Sequence, residues 1–294
     1  MKDISSIEII IPVYNNPEGV RQCLEAVGRQ TFDECPLTVT VVDNGSSPEL
    51  PDLSSEFPFA STVYCRTPGS YAARNAGASR SVADVLVFLD SDCVPEPDWL
   101  DKGVGVLTST SERVNIGGEV LFHTVEMPTP TEAYQLMIGF GQELNIYSRG
   151  FSATANLFVW RSVFESVGAF EDTLLSGGDR EWCWRAAKKG YPTHFAKKSV
   201  VLTSPRHSLK AAIIQTRRVV GGRSSLMEDI NIVNNKKDSL LPPKGISEKL
   251  GLILKDQRFS LTMRLKVLCV AIVLFSIRLS EKVRLNLGFE RERR

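Results

Sequence analysis

The sequence lacks both of the glycine-rich signatures that bind phosphate through backbone N–H groups. No Gly-x-Gly-x-x-Gly follows the first apolar run, and no Gly-x-x-x-x-Gly-Lys-Ser/Thr occurs anywhere in the 294 residues. A dinucleotide fingerprint after the first strand and a P-loop are therefore excluded. Any phosphate that this protein binds must be held by another means.

Patterned cysteines, net charge and long apolar runs are also scarce. The six cysteines are scattered without a Cys-x-x-Cys, so no disulfide framework is predicted and a reducing, cytoplasmic setting fits best. The polar residues after Met1 predict no secretory signal. The formal net charge of +1 offers no argument for nucleic acid as a partner. No uncharged stretch reaches the roughly 20 residues that a membrane-spanning helix needs.

The first 100 residues or so alternate between strand and helix patterns. Ile7 to Val13 is apolar on both faces, as expected for a central strand, and Asn16-Pro17 supplies a helix cap and a first-turn proline. Further strands are predicted at residues 38–43, 62–65, 85–89, 114–122, 155–160 and 199–202, with helices at 71–80, 132–144 and 180–189. This alternation predicts an α/β fold with a Rossmann-like, mainly parallel central sheet flanked by helices.

Two carboxylates follow the apolar run from Val85 to Leu89, which predicts a fully buried strand. Asp90 and Asp92 lie one residue apart at its carboxyl end, the edge where open α/β sheets bind ligands. Carboxylates there favour a hard divalent cation that also binds phosphate. A cation on Asp90-Ser91-Asp92 is therefore the predicted means of holding phosphate in this protein.

The ends of the first two strands are expected at the same edge. They carry Pro12-Val13-Tyr14-Asn15-Asn16 and Val42-Asp43-Asn44-Gly45-Ser46. An acidic residue after a second strand can accept hydrogen bonds from a base or ribose, and an aromatic ring can cover the base; a plain turn is the alternative at Asp43. Two roles stay open for Arg74: contact with a phosphate or Asp90, or simple solvation.

A second acidic site lies far along the chain, in Ser176-Gly177-Gly178-Asp179-Arg180-Glu181-Trp182. Asp179 follows two glycines at a predicted helix start, where it either caps the helix or acts as a general base on an incoming hydroxyl. Trp182 and Trp184 face different sides of this helix. We expect one of them in the core and the other available to an apolar sugar face.

Together these motifs resemble those of the family 2 glycosyltransferases, which have the GT-A fold. The resemblance covers about residues 5 to 220, in the right order and spacing. Its pieces are Ile10-Ile11-Pro12-Val13-Tyr14-Asn15-Asn16, Val41-Val42-Asp43-Asn44-Gly45-Ser46, Ala73-Arg74-Asn75-Ala76-Gly77, Phe88-Leu89-Asp90-Ser91-Asp92, Pro95-Glu96-Pro97-Asp98-Trp99-Leu100, Asn156-Leu157-Phe158, Val167-Gly168-Ala169-Phe170, Gly178-Asp179-Arg180-Glu181 and Trp184-Arg185.

The resemblance implies a nucleotide-diphosphate sugar as donor, most often a UDP sugar. Asp92, with Asp90, would bind Mn²⁺ or Mg²⁺ to neutralise the departing diphosphate, and Asp179 would be the catalytic base of an inverting reaction. The nucleotide-binding residues it implies are Pro12, Val13, Tyr14, Asn15, Asp43, Arg74, Asp90 and Ser91. The residues it implies near the donor sugar and acceptor are Asn156, Gly178, Glu181 and Trp182.

Two departures from the family pattern affect the site. The usual Glu before the base is Gly178 here, so help from that carboxylate is absent unless Glu181 substitutes for it. The His that often joins the metal shell corresponds to Ser204, with His207 three residues later. Either His207 reaches the metal, or the metal has one protein ligand fewer.

The resemblance also implies a domain division and a cellular setting. Residues 1–235 form the GT-A domain, with a nucleotide-binding half to about 100 and an acceptor half from about 101. After a break at Leu241-Pro242-Pro243-Lys244-Gly245, residues 236–294 form a helical extension. Its uncharged stretch from Val267 to Ile277 is either a buried helix or, as we expect, a helix in a membrane interface, because it follows what looks like a complete enzyme.

The sequence therefore predicts an enzyme at the cytoplasmic face of the plasma membrane that transfers a sugar to a lipid-linked or polysaccharide acceptor, with no nucleic acid partner. Two alternatives remain. A sugar-nucleotide nucleotidyltransferase would need a glycine-rich activation loop with Arg and Lys after the first strand, and Pro12 to Asn16 is not such a loop. A non-catalytic nucleotide-sugar binding protein would be favoured had Asp92 or Asp179 been replaced.

Overall fold

A computed structural model describes residues 4–174, 176–233 and 246–289. Over these residues the strands are β1 Ile7–Val13, β2 Leu37–Asp43, β3 Ala60–Tyr64, β4 Val85–Leu89, β5 Cys93–Pro95, β6 Asn115–Phe122, β7 Asn156–Trp160 and β8 Thr193–Thr203. The helices are α1 Pro17–Gly28, α2 Ser70–Ala78, α3 Trp99–Ser109, α4 Pro130–Ile138, α5 Gln142–Arg149, α6 Arg161–Val167, α7 Gly178–Lys188, α8 Leu209–Val233, α9 Ile246–Lys255 and α10 Leu261–Asn286.

The eight strands form one sheet in the order β3-β2-β1-β4-β7-β6-β8-β5. Strand β1 pairs in parallel with β2 and β4, and β2 pairs in parallel with β3. Beyond β4, strand β7 pairs antiparallel with β4, β6 with β7, and β8 with β5. The predicted α/β sheet is confirmed as a mixed sheet, and its parallel part is the half that carries the acidic edge.

The centre of the sheet is built from runs that are apolar on both faces. Every residue of β4 is buried, and all but one of β1 are buried, as expected for strands covered on both sides. Helix α1 packs through Val20, Cys23, Leu24 and Val27, and the Asn16 side chain caps it by accepting a hydrogen bond from the Gly19 N–H (3.2 Å). The predicted cap at Asn16-Pro17 is thus confirmed.

Two predicted elements differ from the structure. The single helix expected at 132–144 is two helices, α4 and α5, because Gly139 and Gly141 adopt positive φ angles of 72° and 80° that end a helix. The short strand expected at 199–202 is the 11-residue β8, whose later part, from Ser199 to Thr203, alternates buried and partly exposed residues.

The chain groups into two compact units. The first comprises Met1–Leu121, Gln142–Thr173 and Gly178–Thr203, and the second comprises Phe122–Gly141, Leu174–Gly177 and Ser204–Arg294. The first unit contains the acidic edge of the sheet. The predicted break at Leu241 to Gly245 lies outside the described residues, and the domain boundary near residue 235 stays a prediction.

Helix α10 has one buried and one exposed apolar face. Within the second unit, Val267 packs in a cluster with α4 and α9, and Val270 and Leu274 pack with Ala212 of α8. Its exposed apolar side chains are Leu261, Leu265, Ile272, Val273, Phe275, Leu279 and Val283. Among the described helices, none has both the length and the apolar character that crossing a bilayer requires.

Candidate active site

Three loops meet at the carboxyl edge of the parallel strands. The Asn15 N–H donates to Ser46 Oγ (2.9 Å), and Asn15 Oδ1 accepts from the Ser47 N–H (2.8 Å), which joins the loops after β1 and β2. Asn16 Nδ2 donates to Ser91 Oγ (3.4 Å), which joins the loop after β1 to Asp90-Ser91-Asp92. The structure therefore brings together the three segments that the sequence placed at one edge.

The loop after β1 offers an aromatic ring to this edge. Tyr14 is 44% exposed, so its ring is accessible to a flat ligand such as a nucleotide base. The Val13 side chain is buried, and its carbonyl accepts from the Asn44 N–H (2.8 Å). Val13 therefore supports the loop from below, and its side chain is closed to a ligand.

Asp43, at the end of β2, organises the loop that follows it. Its two carboxylate oxygens accept from the Ser46 N–H and the Leu50 N–H, each at 2.9 Å. Burial alone would raise the pKa of Asp43, but hydrogen bonds from Leu50, Ser46 and the Gly45 N–H outweigh burial and lower the pKa. Asp43 is thus a stable anion that holds the turn after β2.

Asn44 is a site-forming residue that the sequence pattern did not single out. Its Nδ2 donates to the carbonyls of Cys65 (3.2 Å) and Thr67 (2.7 Å), and its Oδ1 accepts from the Gly69 N–H (2.7 Å). These bonds fix the segment that leads from β3 into α2. The only signal in the sequence was its position next to Asp43 at a strand end.

Arg74 lies in α2 and pairs with Asp90. Its Nη2 is 2.5 Å from Asp90 Oδ1, and the arginine is only 4% exposed. Among the described residues the buried Nε atom of Arg74 has no hydrogen-bond partner. Of the two roles that the sequence left open, pairing with Asp90 is the one the structure shows.

Asp90 and Asp92 differ in exposure. Asp92 is exposed on the loop after β4, whereas Asp90 is half-buried and gives one oxygen to Arg74. Within the described part of the chain, no group of three or more His, Cys, Asp or Glu side chains is arranged to hold a metal by itself. Mg²⁺ and Mn²⁺ accept two carboxylates as ligands when phosphate oxygens fill other coordination positions of the cation. Asp90 and Asp92 therefore fit a cation that binds together with a diphosphate.

His207 has a local partner in the second unit. Its Nδ1 lies 3.1 Å from Glu132 Oε1, and its carbonyl accepts from Thr129 Oγ1 (2.8 Å). Glu132 also completes a capping box with Thr129 at the start of α4. The structure thus assigns the His207 ring a contact with this cap, and a role for His207 at a metal stays a prediction.

Asp179 lies in the first turn of α7, half-buried. Its Oδ1 accepts from the Arg180 N–H (2.8 Å) and from the Tyr71 hydroxyl (3.3 Å). Burial is the main influence and raises the pKa of Asp179; the Arg180 N–H and the positive charges of Arg74 and Arg180 oppose this rise, and the charge of Asp90 adds to it. Asp179 therefore accepts a hydrogen bond from a first-turn N–H and also has a raised pKa.

Tyr71 connects the two acidic sites. Its hydroxyl contacts Asp179, and the Arg74 guanidinium carbon lies 5.5 Å from the centre of its ring. Arg74 in turn binds Asp90. No local pattern in the sequence points to Tyr71, because no spacing rule shows which side chain of α2 faces α7.

Two of the residues expected near the sugar have buried side chains. Trp182 is fully buried among Phe164 and Phe170, so it is the core tryptophan of the pair and is closed to a sugar. Asn156 is also fully buried; it accepts from Trp99 Nε1 (2.8 Å) and donates to the carbonyls of Glu119 and Ser199 (both 2.9 Å). The structure thus encloses both side chains in the core, a placement that the sequence does not show because no local pattern gives the face of an element that the core covers; their predicted vicinity to the sugar stays a prediction.

Glu181 does not replace the missing acidic residue before Asp179. Both of its carboxylate oxygens bind Arg185, at 2.6 Å and 2.9 Å. Arg185 also donates to the carbonyls of Val167 and Ala169 (2.7 Å and 2.8 Å), so Glu181 orients an arginine that anchors the loop after α6. Gly178 lies against Tyr71, one residue before Asp179.

Comparisons with known proteins identify the family. The model for Glycosyl transferase family 2 matches residues 8–146, and the model for Glycosyl transferase family group 2 matches residues 85–280, more than half of the chain. The chain belongs to the family 2 glycosyltransferases. Neither the nucleotidyltransferase nor the non-catalytic alternative is supported by these matches.

Two curated relatives and one solved structure are similar to the chain. Glycosyltransferase AglE of Haloferax volcanii is 38% identical over 65% of this chain and 64% of its own length. Pre-mycofactocin glycosyltransferase of Mycobacterium tuberculosis is 27% identical over 69% of this chain and 44% of its own length. The match thus spans less than two thirds of either relative.

The solved structure is the mannosyltransferase PcManGT from Pyrobaculum calidifontis in complex with GDP-Man and Mn²⁺. It matches with a TM-score of 0.59 and 16% identity, over 96% of this chain and 87% of that one. At this identity the likeness shows the fold alone, and it confirms the predicted GT-A fold.

Proposed function

We propose that this protein is an inverting, metal-dependent glycosyltransferase. It transfers a sugar from a nucleotide-diphosphate sugar, by preference a UDP sugar, to a hydroxyl of a lipid-linked or polysaccharide acceptor. One observation carries the proposal: Asp179, whose pKa is raised, is connected through Tyr71 and Arg74 to the Asp90-Ser91-Asp92 loop. A base and a diphosphate-binding loop thereby belong to one continuous set of contacts.

Each residue has a role in this reaction. Asp179 accepts the proton of the acceptor hydroxyl, which attacks the anomeric carbon from the side opposite the diphosphate. Asp92 and Asp90 hold Mn²⁺ or Mg²⁺, which when bound neutralises the charge of the departing diphosphate. Arg74 orients Asp90 and places its positive charge beside the diphosphate, and Tyr14, Asn15 and Asp43 contact the nucleoside. The bound Mn²⁺ named for the mannosyltransferase neighbour supports this assignment.

Substitution of Asp179 by Asn tests the role of the base. The amide has the same shape but cannot accept the proton, so we expect transfer to fall by about 10²- to 10⁴-fold while UDP binding in Mn²⁺ stays as in the wild type. Calorimetry with UDP and Mn²⁺ measures binding, and release of nucleotide from UDP-glucose and GDP-mannose measures turnover. Asp172→Asn, an exposed acid in the loop before α7, is the matched control.

The outcome separates two roles for Asp179. Transfer by Asp179→Asn at the wild-type rate would refute the assignment of the base. Loss of UDP binding together with transfer would reduce Asp179 to a structural residue of the donor site. In the same assays Asp92→Ala is expected to weaken UDP binding and to remove its dependence on Mn²⁺.

We further propose that the enzyme works at the cytoplasmic face of the plasma membrane, bound through α10. Leu261, Leu265, Ile272, Phe275, Leu279 and Val283 are all exposed, and their spacing of three, four or seven residues places them on one face of the helix. Five of the six charged residues of α10 are basic, and the acidic one, Glu281, is buried and bound to Arg284. An apolar stripe with basic flanks is typical of a helix that lies in the headgroup region of an anionic membrane.

Vesicle sedimentation tests this surface. The full-length protein is expected to bind vesicles of phosphatidylglycerol and phosphatidylcholine, and Ile272→Glu with Leu279→Glu to abolish binding. Thr262→Glu, which adds one acidic residue at an exposed position on the side of the same helix, is the control and is expected to keep vesicle binding. Vesicle binding by the double variant that equals that of the wild type would refute the proposal. A wild-type protein that binds no vesicles but forms dimers, with a double variant that is monomeric, would also refute it.

A further inference from the structure

Gly178 occupies a place where a side chain cannot fit. A Cβ atom built on it would lie 2.8 Å from Cε2 of Tyr71 and 2.9 Å from Cδ2 and Cζ of the same ring. Carbon atoms that are not bonded to one another pack at about 3.5–4.0 Å. Gly178 does not have a positive φ angle, so the requirement for glycine comes from the Tyr71 ring and not from the backbone.

The Tyr71 ring is held in this place from several sides. It is 6% exposed, its centre is 5.8 Å from that of Phe170, and the Arg74 guanidinium lies over its face. The loop that carries Phe170 is bound to α2 by Asn75, whose Nδ2 donates to the Phe170 carbonyl (2.8 Å) and whose Oδ1 accepts from the Phe170 N–H (2.9 Å). The ring therefore has little freedom to move away from residue 178.

The Tyr71 hydroxyl points at the Asp179 carboxylate. The 3.3 Å between the two oxygens is longer than the usual 2.5–3.0 Å, and hydrogen bonds of catalytic groups are often long when no substrate is bound. A phenol that donates to a carboxylate stabilises the ionised form and limits its rotation. Other charged groups that act on Asp179 are Arg74 on α2, Arg180 on α7 and Asp90 after β4.

We infer that Tyr71 is the positioning residue for the base Asp179, and that Gly178 is present to admit the Tyr71 ring. The ring takes the space of the side chain that would precede the base, and its hydroxyl gives Asp179 a fixed hydrogen-bond donor. The inference rests on the proposed function only where it names Asp179 as the base. The contact between Tyr71, Gly178 and Asp179 is tested without any substrate.

Tyr71→Phe removes the hydroxyl and keeps the ring. Carboxyl ¹³C NMR follows the titration of Asp179, whose signal is the one lost in Asp179→Asn. Because the ionised form loses a donor, we expect the Asp179 pKa to rise by about half a unit or more. Tyr147→Phe, an exposed tyrosine of α5, is the matched control and is expected to leave this titration unchanged. An unchanged Asp179 titration in Tyr71→Phe would overturn the inference.

The steric part is tested by a double-mutant cycle of thermal stability. Gly178→Ala is expected to lower Tm by about 5 °C in the wild-type background, because the new methyl group overlaps the Tyr71 ring. In the Tyr71→Ala background the same substitution is expected to have little effect. An equal loss of Tm in both backgrounds would refute the role assigned to Gly178. Should Tyr71→Ala fail to fold, Tyr71→Leu provides the second background.

A turnover assay connects the contact to catalysis. With UDP-glucose or GDP-mannose as donor, Tyr71→Phe is expected to lower kcat about tenfold with an unchanged donor KM, and to move the acid limb of the pH profile upward with the NMR titration. An unchanged kcat and acid limb would refute the positioning role. Full activity of Asp179→Asn would instead refute the proposed function, while the NMR and stability results would still decide whether the Tyr71 contact exists.

Discussion

Two aspartates at one edge of the sheet show how local contacts set the chemistry of a single residue. Asp43 and Asp179 both lie in partly closed surroundings, yet the pKa of Asp43 is lowered and that of Asp179 is raised. Hydrogen bonds from Leu50 and Ser46 stabilise the charge on Asp43, whereas Asp179 has fewer donors against its burial. The first carboxylate is suited to holding a loop and the second to accepting a proton.

The raised pKa of Asp179 predicts the acid limb of activity. The carboxyl must be ionised to accept a proton, and burial favours its protonated form. Transfer should therefore be fastest where Asp179 is ionised, and it should decline as the pH falls through a value above the pKa of an ordinary aspartate. A kcat profile from pH 4 to 8, with UDP binding measured over the same range, checks this. An acid limb that appears equally in UDP binding would contradict the assignment to Asp179.

Arg74 is predicted to matter for nucleotide binding. Arg74→Met removes the partner of Asp90 and a positive charge beside the proposed diphosphate site. UDP affinity in Mn²⁺ should therefore fall by about 10- to 100-fold, the range of about 1.5–3 kcal/mol for a hydrogen bond to a charged group. Calorimetry measures the loss. Arg80→Met, an exposed arginine just after α2, is the control and should bind UDP normally. Wild-type affinity in Arg74→Met would contradict a role at the diphosphate.

At the scale of elements, close packing of helices on the sheet depends on a few glycines. In α3, a Cβ on Gly103 would lie 2.3 Å from Cζ of Phe158, on the buried strand β7, whereas a Cβ on Gly105 would meet nothing within 4 Å. Both glycines lie within one helix, so each loses a similar amount of backbone conformational entropy on folding. The two positions therefore separate packing from conformational entropy.

We predict opposite effects for alanine at these two positions. Gly103→Ala should lower the free energy of unfolding by about 1–3 kcal/mol, because the methyl group overlaps the Phe158 ring. Gly105→Ala should raise it by about 0.5–1 kcal/mol, because alanine restricts the unfolded chain and favours a helix. Denaturation by urea measures both. A loss of stability of the same size in the two variants would contradict the packing of α3 on β7.

At the scale of the whole molecule, the C-terminal helix belongs to the core of the second unit. Val267 contacts the cluster of Ala133, Met137 and Ile253, and Leu274 packs near Ala212. The same helix presents an apolar stripe on its other side. The two interpretations of this helix left open by the sequence therefore concern different faces of one element.

Removal of the chain after residue 255 is consequently predicted to damage the fold. The deletion exposes the apolar clusters of the second unit, so we expect stronger binding of the dye ANS and a lower Tm than in the wild type. Ile272→Glu with Leu279→Glu alters only the exposed stripe and should keep both properties near wild type. An unchanged Tm after the deletion would show that α10 contributes no core.

Much of the fold and part of the site follow from the sequence alone. The apolar runs of β1 and β4, the cap at Asn16 and the acidic residues after β4 are local patterns, and periodicity together with chain direction is enough to place them at one sheet edge. Gly139 and Gly141 mark the break between α4 and α5 in the sequence as well. The positive φ angles that end the helix, however, are known only from the folded chain.

Tertiary structure alone decided which side chains face one another. It placed Trp182 and Asn156 in the core and bound Glu181 to Arg185. It also packed the Tyr71 ring against Gly178 and brought the Tyr71 hydroxyl to Asp179. These contacts join residues far apart in the chain, across elements whose rotation depends on the packing of the whole unit. The sequence by itself determined the order of the elements and the residues able to carry the chemistry; their contacts depended on packing between elements, which no local pattern encodes.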